Sequence, residues 1–202
     1  MRTMRELPLP SSPGALEHPS IDLVNSVIRL PGGVVVDAIE TPADATSWLI
    51  ERGLAAEGSM LESYCQNRLL GMREDLREAF AAAVDGVRLG EHALDRINAA
   101  MKAAPQIPLL GMAPGGGFVR VPEHPVTQVV EQAMSGIAED AATLLTGDEA
   151  PLLARCEAEP CIRFFLRTHA RRQWCSTRCG DRVRAARAYA RKKEAAAADA
   201  RG

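Results

Sequence analysis

Four cysteines stand within 24 consecutive residues, spaced Cys156-x4-Cys161-x13-Cys175-x3-Cys179. Clustered cysteines in a chain with no export signal are more often metal ligands than disulfide partners. Two short cysteine pairs on separate turns, joined by a span long enough for a hairpin, deliver the tetrahedron of thiolates that a structural zinc takes. Four thiolates close that tetrahedron and leave no position for a catalytic water, so the chemistry predicted is one structural Zn2+ and no metalloenzyme centre. The segment has little else to fold with, since Ile162, Phe164, Phe165, Leu166 and Trp174 are nearly its whole apolar stock. Metal binding, on the order of 10–16 kcal/mol in small zinc modules, would supply its folding energy. His169 is the alternative ligand, and it reads more simply as a surface histidine in an arginine-rich loop. The fifth cysteine, Cys65, lies on an apolar helical stripe and reads as a small buried hydrophobe.

The second chemistry is charge. From Cys156 onward twelve Lys/Arg face five Asp/Glu, about +7, whereas residues 1–155 hold twelve against twenty-one, about −9. Such asymmetry gives the two parts different work, the basic part meeting a polyanion; a solvated basic tail is the plainer reading. Arg163, Arg167, Arg171 and Arg172 lie between the cysteine pairs, and Arg178 and Arg182 follow. In the predicted last helix, Arg182 to about Ala198 with Asp181 as its N-cap, Arg184, Arg187 and Arg191 share one face. Val183, Ala186 and Ala190 share another, predicted to dock on the zinc module. The nucleic-acid contacts expected are therefore Arg171, Arg172, Arg178, Arg182, Arg184, Arg187 and Arg191, with phosphates as their targets.

The elements that must position these groups are mostly helical, as an aromatic content of 4% leads one to expect of an aliphatic core. Residues 1–17, with Pro8, Pro10, Pro13 and Gly14, read as a flexible arm. Ser20 is placed to cap a helix over Ile21–Ile28, and Pro31-Gly32-Gly33 breaks it before a short strand at Val34–Val36. Thr41-Pro42 starts a helix carrying Trp48-Leu49-Ile50. Leu61, Cys65, Leu69, Met72, Leu76 and Phe80 line one face of a long helix predicted from Ser59 to about Gly90. Glu91–Ala103 is predicted as another, with Leu94, Ile97 and Met101 inward. Residues 109–112 and 118–121 read as a β-hairpin about Gly115-Gly116-Gly117, and a helix from about Val126 closes at Gly147. The fold class predicted is predominantly α with small β-hairpins (α+β). It comprises a helical domain over residues 18–150, a zinc-ribbon-like module over 151–194 ending in a helix, and a disordered tail at 195–202.

At Arg172-Gln173-Trp174-Cys175-Ser176-Thr177-Arg178-Cys179-Gly180-Asp181-Arg182 the chain resembles the CGNR zinc-finger family. That family's signature is a basic-Trp-Cys-Ser run ending in Cys-Gly-Asn-Arg; here Asp181 replaces the Asn. Family members also commonly carry an acidic residue within the stretch occupied by Phe164–Thr168, where this chain has Arg167. Ile21-Asp22-Leu23-Val24-Asn25-Ser26 and Trp48-Leu49 are similar to the ABATE domain that accompanies this finger. The resemblance implies a bacterial, stress-induced transcription regulator with the finger as its DNA-binding end. Members described as RNA-binding zinc-ribbon-like proteins are the alternative. It carries Cys156, Cys161, Cys175 and Cys179 over as zinc ligands and offers no catalytic residues.

The function expected is regulation of transcription through double-stranded DNA, with an N-terminal domain that senses a small ligand or forms a homodimer. Two alternatives stand beside it. RNA binding would use Trp174, Phe164 or Phe165 as stacking platforms, and a protein-interaction module would dock its basic finger on an acidic partner. An enzyme is the least supported class. Asp22 and Asn25, one turn apart, would line a ligand pocket, or else serve as a cap and a buried polar bond. No apolar run reaches the roughly 20 residues of a membrane helix, and residues 1–8 lack the apolar stretch of a secretory signal. A soluble cytoplasmic protein is expected.

Overall fold

The structure is a computed structural model, and it describes residues 8–104, 108–122 and 129–199. Among them lie six α-helices: α1 Pro19–Val24, α2 Pro42–Glu51, α3 Ser63–Asp85, α4 Glu91–Ala103, α5 Val129–Thr146 and α6 Thr177–Asp199. Six short strands pair as three antiparallel hairpins: β1 Val27–Arg29 with β2 Val35–Asp37, β3 Pro108–Met112 with β4 Phe118–Pro122, and β5 Leu153–Arg155 with β6 Phe164–Leu166. The architecture is the mostly helical fold with small hairpins that the periodicity predicts. None of the helices in the described residues is long and apolar enough to cross a membrane.

The core forms where the apolar faces of α1, α2, α3 and α5 converge, with Ile21, Leu23, Trp48, Leu49, Leu69, Leu76, Phe80, Ile137 and Leu144 almost wholly buried. The α2 start is as expected: Thr41 Oγ1 accepts the Asp44 amide at 3.1 Å, satisfying a donor that the first helical turn leaves free. The α3 stripe is real but shorter than predicted. Residues 59–62 stay outside the helix, where the Leu61 amide donates to Thr46 Oγ1 at 3.0 Å, and Gly86 ends it in the left-handed conformation. In α4 the inward residues are Ala93, Ile97 and Ala100, and Leu94 is exposed rather than inward.

Two further expectations fail at the start of the chain. The first helix begins at Pro19 after His18, and Ser20 lies buried inside it instead of capping it. The Ser20 amide donates to Asp140 Oδ2 of α5 at 3.0 Å, so the serine is fixed by a tertiary bond. Val27 and Ile28, predicted as helix, form β1 opposite β2, with Ile28 facing Val36. Arg73, buried on α3, holds this hairpin by donating to Ser26 Oγ at 3.0 Å and Asp37 Oδ1 at 2.8 Å.

Residues 8–17, predicted as a flexible arm, pack against the C-terminal segment, and Leu9, Ser12 and Ala15 are buried. The Leu166 amide donates to Pro13 O at 2.9 Å. Gly14 follows at φ +87°, and a Cβ there would lie 2.7 Å from the Leu166 side chain, so the close approach requires glycine.

Candidate metal centre and nucleic-acid interface

Hairpin β5–β6 joins the core to the cysteines. Side chains alternate along a strand, and β6 uses both faces. Phe164 and Leu166 enter the main core, Phe164 packing edge-on against Phe80 at a centroid distance of 5.7 Å. Phe165, between them, turns to the other side and packs with Ala154 among Cys156, Cys161, Cys175 and Cys179. Cys156 follows β5 directly, its amide donating to Arg163 O at 2.9 Å. Cys161 closes a turn through its amide bond to Ala158 O at 2.8 Å. Cys179 lies in the first turn of α6, where its amide donates to Ser176 Oγ at 3.3 Å, the bond an N-cap serine accepts.

The four Sγ atoms are buried and lie within 4.8 Å of one another. A zinc–sulfur bond of about 2.3 Å fixes the edge of a tetrahedron at roughly 3.8 Å. The Cys161–Cys175 and Cys175–Cys179 sulfur separations are 3.7 and 3.8 Å, which fit that edge and exclude disulfides. The residues thus form a single four-thiolate zinc site, and the ion's role there is to close the fold.

Cys161 and Cys175 hydrogen-bonding to Cys156 hold its thiol down at about 7. Cys179 is lowered through the same shared network, while Cys161 and Cys175 are raised. Neighbouring donors favour thiolate at three of the sulfurs. Arg163 lies 3.9 Å from Cys175 Sγ and Arg182 Nη2 lies 3.7 Å from Cys179 Sγ. The Cys175 amide approaches Cys156 Sγ at 3.5 Å.

The arginines divide into two groups. Arg172 donates to Trp174 O, Cys175 O and Thr168 Oγ1. Arg182 donates to Ala158 O at 2.9 Å and Glu159 O at 3.2 Å, and Arg178 to Pro8 O at 2.6 Å. These three, predicted as nucleic-acid contacts, spend donors on the protein's own carbonyls and brace the zinc knuckles. Arg171, Arg187 and Arg191 are exposed, with no ion-pair partner among the described residues. Arg184 is exposed, pairs with Asp181 at 2.6 Å and lies over the Trp174 ring at 5.5 Å.

Helix α6 corrects the prediction in three ways. It starts at Thr177, so Asp181 is an interior residue and not the N-cap. It continues to Asp199, through part of the tail predicted to be disordered; residues 200–202 lie outside the described residues. Val183 packs against the zinc cluster, but Ala186 and Ala190 are exposed, so the predicted docking face is used over one turn only. Gly180 sits inside the helix, where a Cβ would lie 2.8 Å from the Trp174 ring, so the close approach requires glycine.

Asp22 and Asn25, expected at a ligand pocket, both engage partners within the protein. Asp22 pairs with Arg52, and Asn25 is 2% exposed with its amide fully engaged. It donates to Ser12 Oγ and Phe164 O, both at 2.8 Å, and accepts the Phe164 amide at 2.9 Å. Sequence reasoning missed a cavity of about 630 Å3 lined by residues 53–61, Cys65 and Val129–Gln132. Half-buried Cys65, predicted to be core, is on its wall. Its loop is irregular, and no periodic signal marks it.

Residues 17–148 match the ABATE family, described as "Putative stress-induced transcription regulator", and residues 153–192 match the CGNR zinc finger. No curated protein matches the chain.

Proposed function

The chain belongs to the ABATE family and carries a CGNR zinc finger, and from that premise we propose that it regulates transcription by binding duplex DNA through the finger and α6. The observation that carries this reading is α6 itself. From Arg184 to Ala197 every residue is exposed, and Arg184, Arg187 and Arg191 share one face. A major groove about 12 Å wide admits an α-helix, and a free basic helix continuing from a rigid zinc knuckle has the dimensions to enter it. Arg171 extends the basic surface on the loop before Cys175.

Single-stranded RNA is less favoured, because the aromatic platforms are not on offer. Phe164 and Phe165 are buried, and Trp174 is half-buried beneath Arg184 and against Gly180. The N-terminal domain takes the sensing or pairing role in this reading, and the cavity beside Cys65 is a further place for a small ligand.

The test is a titration of duplex DNA at several salt concentrations, comparing the native chain with Arg184→Ala/Arg187→Ala/Arg191→Ala. Each lost phosphate contact lowers the slope of log affinity against log salt by about 0.9, so the triple variant should lose about 2–3. A base-reading arginine would instead cost roughly 1–3 kcal/mol at one position of the site. A variant with intact zinc and an unchanged slope would transfer the basic surface to an acidic protein partner.

A further inference from the structure

Arg163, just before β6, is 2% exposed. Arginine ordinarily keeps its head in water above an apolar stem, and its guanidinium stays charged inside a protein. A charge taken out of water is costly unless an opposite charge compensates it. Among the described residues the guanidinium of Arg163 has two contacts, and neither is a carboxylate. Nη2 donates to Pro10 O at 2.8 Å, and Nη1 lies 3.9 Å from Cys175 Sγ. Its Nε is buried without a hydrogen-bond partner. The Pro10 carbonyl is neutral and cancels no charge, so the sulfur cluster is the counterpart that remains.

Arg182 repeats the arrangement at a second sulfur. From the second turn of α6 it donates to the neutral carbonyls of Ala158 and Glu159, and its Nη2 lies 3.7 Å from Cys179 Sγ. The acidic side chains of the segment are engaged elsewhere or face solvent. Asp181 pairs with Arg184, and Glu157 and Glu159 are exposed. Arg172 supplies the contrast, since its donors go to Trp174 O, Cys175 O and Thr168 Oγ1.

A zinc ion held by four thiolates leaves two negative charges in excess, and a buried excess of charge needs compensation in its turn. Two guanidinium groups, each at a different sulfur, supply that compensation in full. From this correspondence we propose that Arg163 and Arg182 are the counter-charges of the zinc site, neutralising it and setting how tightly the metal is held. The carbonyls of Pro10 and Ala158 then act as positioning groups. Each takes part of one guanidinium fork and leaves another nitrogen for sulfur.

The test needs no nucleic acid, so its outcome is separate from that of the DNA-binding reading. The full chain is loaded with zinc or with cobalt(II) at one fixed pH. Competition with a chelator measures zinc affinity. In the cobalt form the d–d bands report tetrahedral geometry, and the sulfur-to-cobalt charge-transfer band reports electron density on the thiolates. Arg163→Gln and Arg163→Lys both retain a donor for Pro10 O, and only the lysine retains the charge. Arg163→Gln should weaken zinc binding by about 10–100-fold, as loss of a partner around the ligands does. Its charge-transfer band should move to longer wavelength while the d–d bands stay in place. Arg163→Lys should restore both the affinity and the band. Equal weakening in the two variants would make Arg163 a packing residue and overturn the proposal. Native zinc affinity or an unmoved charge-transfer band in Arg163→Gln would overturn it as well. Where Arg163→Gln does not fold, Arg182→Gln and Arg182→Lys read the same quantities at Cys179, and the same outcomes decide.

Discussion

Asn25 is the residue on which the two matched families meet. Its side chain completes the hydrogen bonding of Phe164, 139 positions later, with the geometry of a third strand at the end of β6. A leucine there would leave the Phe164 N–H and C=O buried without partners, and each orphaned group costs about 1–3 kcal/mol. Asn25→Leu should therefore lower the stability of the whole chain by about 2–5 kcal/mol in urea titration. Asn25→Asp should behave similarly, because a carboxylate would face the Phe164 carbonyl. A loss below about 0.5 kcal/mol in either variant would reduce Asn25 to a bystander. The sequence marks Asn25 as polar in an apolar run, but its partner lies too far along the chain for spacing to identify. The cysteines were legible for the opposite reason, since all four ligands fall in one short stretch and their types alone name the metal.

Elements were legible where one local force dominates and obscure where tertiary contacts decide. The proline-led start of α2 and the glycine turn of β3–β4 are local signals that stand where predicted, and the stripe of α3 is present on a shorter helix. Strand β1 was hidden because Val27 and Ile28 extend the apolar run of α1, and Arg73 on α3, far along the chain, clamps the base of the hairpin at Ser26 and Asp37. The start of α6 was misplaced because Asp181 offers a capping side chain, whereas the helix begins at Thr177 behind Ser176, whose Oγ accepts the Cys179 amide. From Arg184 to Ala197, α6 is exposed, so its helicity rests on its alanines and arginines, which are strong helix formers. Proline in a helix interior costs about 3 kcal/mol and breaks one backbone bond. Ala190→Pro should unwind the exposed turns, reduce the helical signal and weaken duplex binding. The melting midpoint of the body and the zinc content should not move. A lowered midpoint in that variant would mean that the free turns dock somewhere.

The whole molecule has an acidic N-terminal part and a basic C-terminal part that share one core. Leu153, Phe164 and Leu166 lie among the buried residues of the helical domain, and Arg77 of α3 donates to Ile162 O at 3.0 Å. A helical domain cut at residues 18–150 would therefore have an open face beside Phe80. Zinc-linked folding energy of about 10–16 kcal/mol is comparable to the entire net stability of a domain, about 5–15 kcal/mol. Chelation should accordingly lower one cooperative calorimetric transition for the whole chain. Two transitions, with the helical one unmoved by chelator, would restore the separable domain. The same shared core imposes an order in time. A ribosome adds roughly 5–20 residues per second, so about 7–28 s separate the emergence of Asn25 from that of Phe164. Through that interval the nascent chain holds Asn25 without its Phe164 partner and the Pro13 carbonyl without the Leu166 amide. Cys175 and Cys179 emerge later still. The early residues are thus secured by a segment made well after them, and metal capture by the nascent finger becomes a step on which their packing depends.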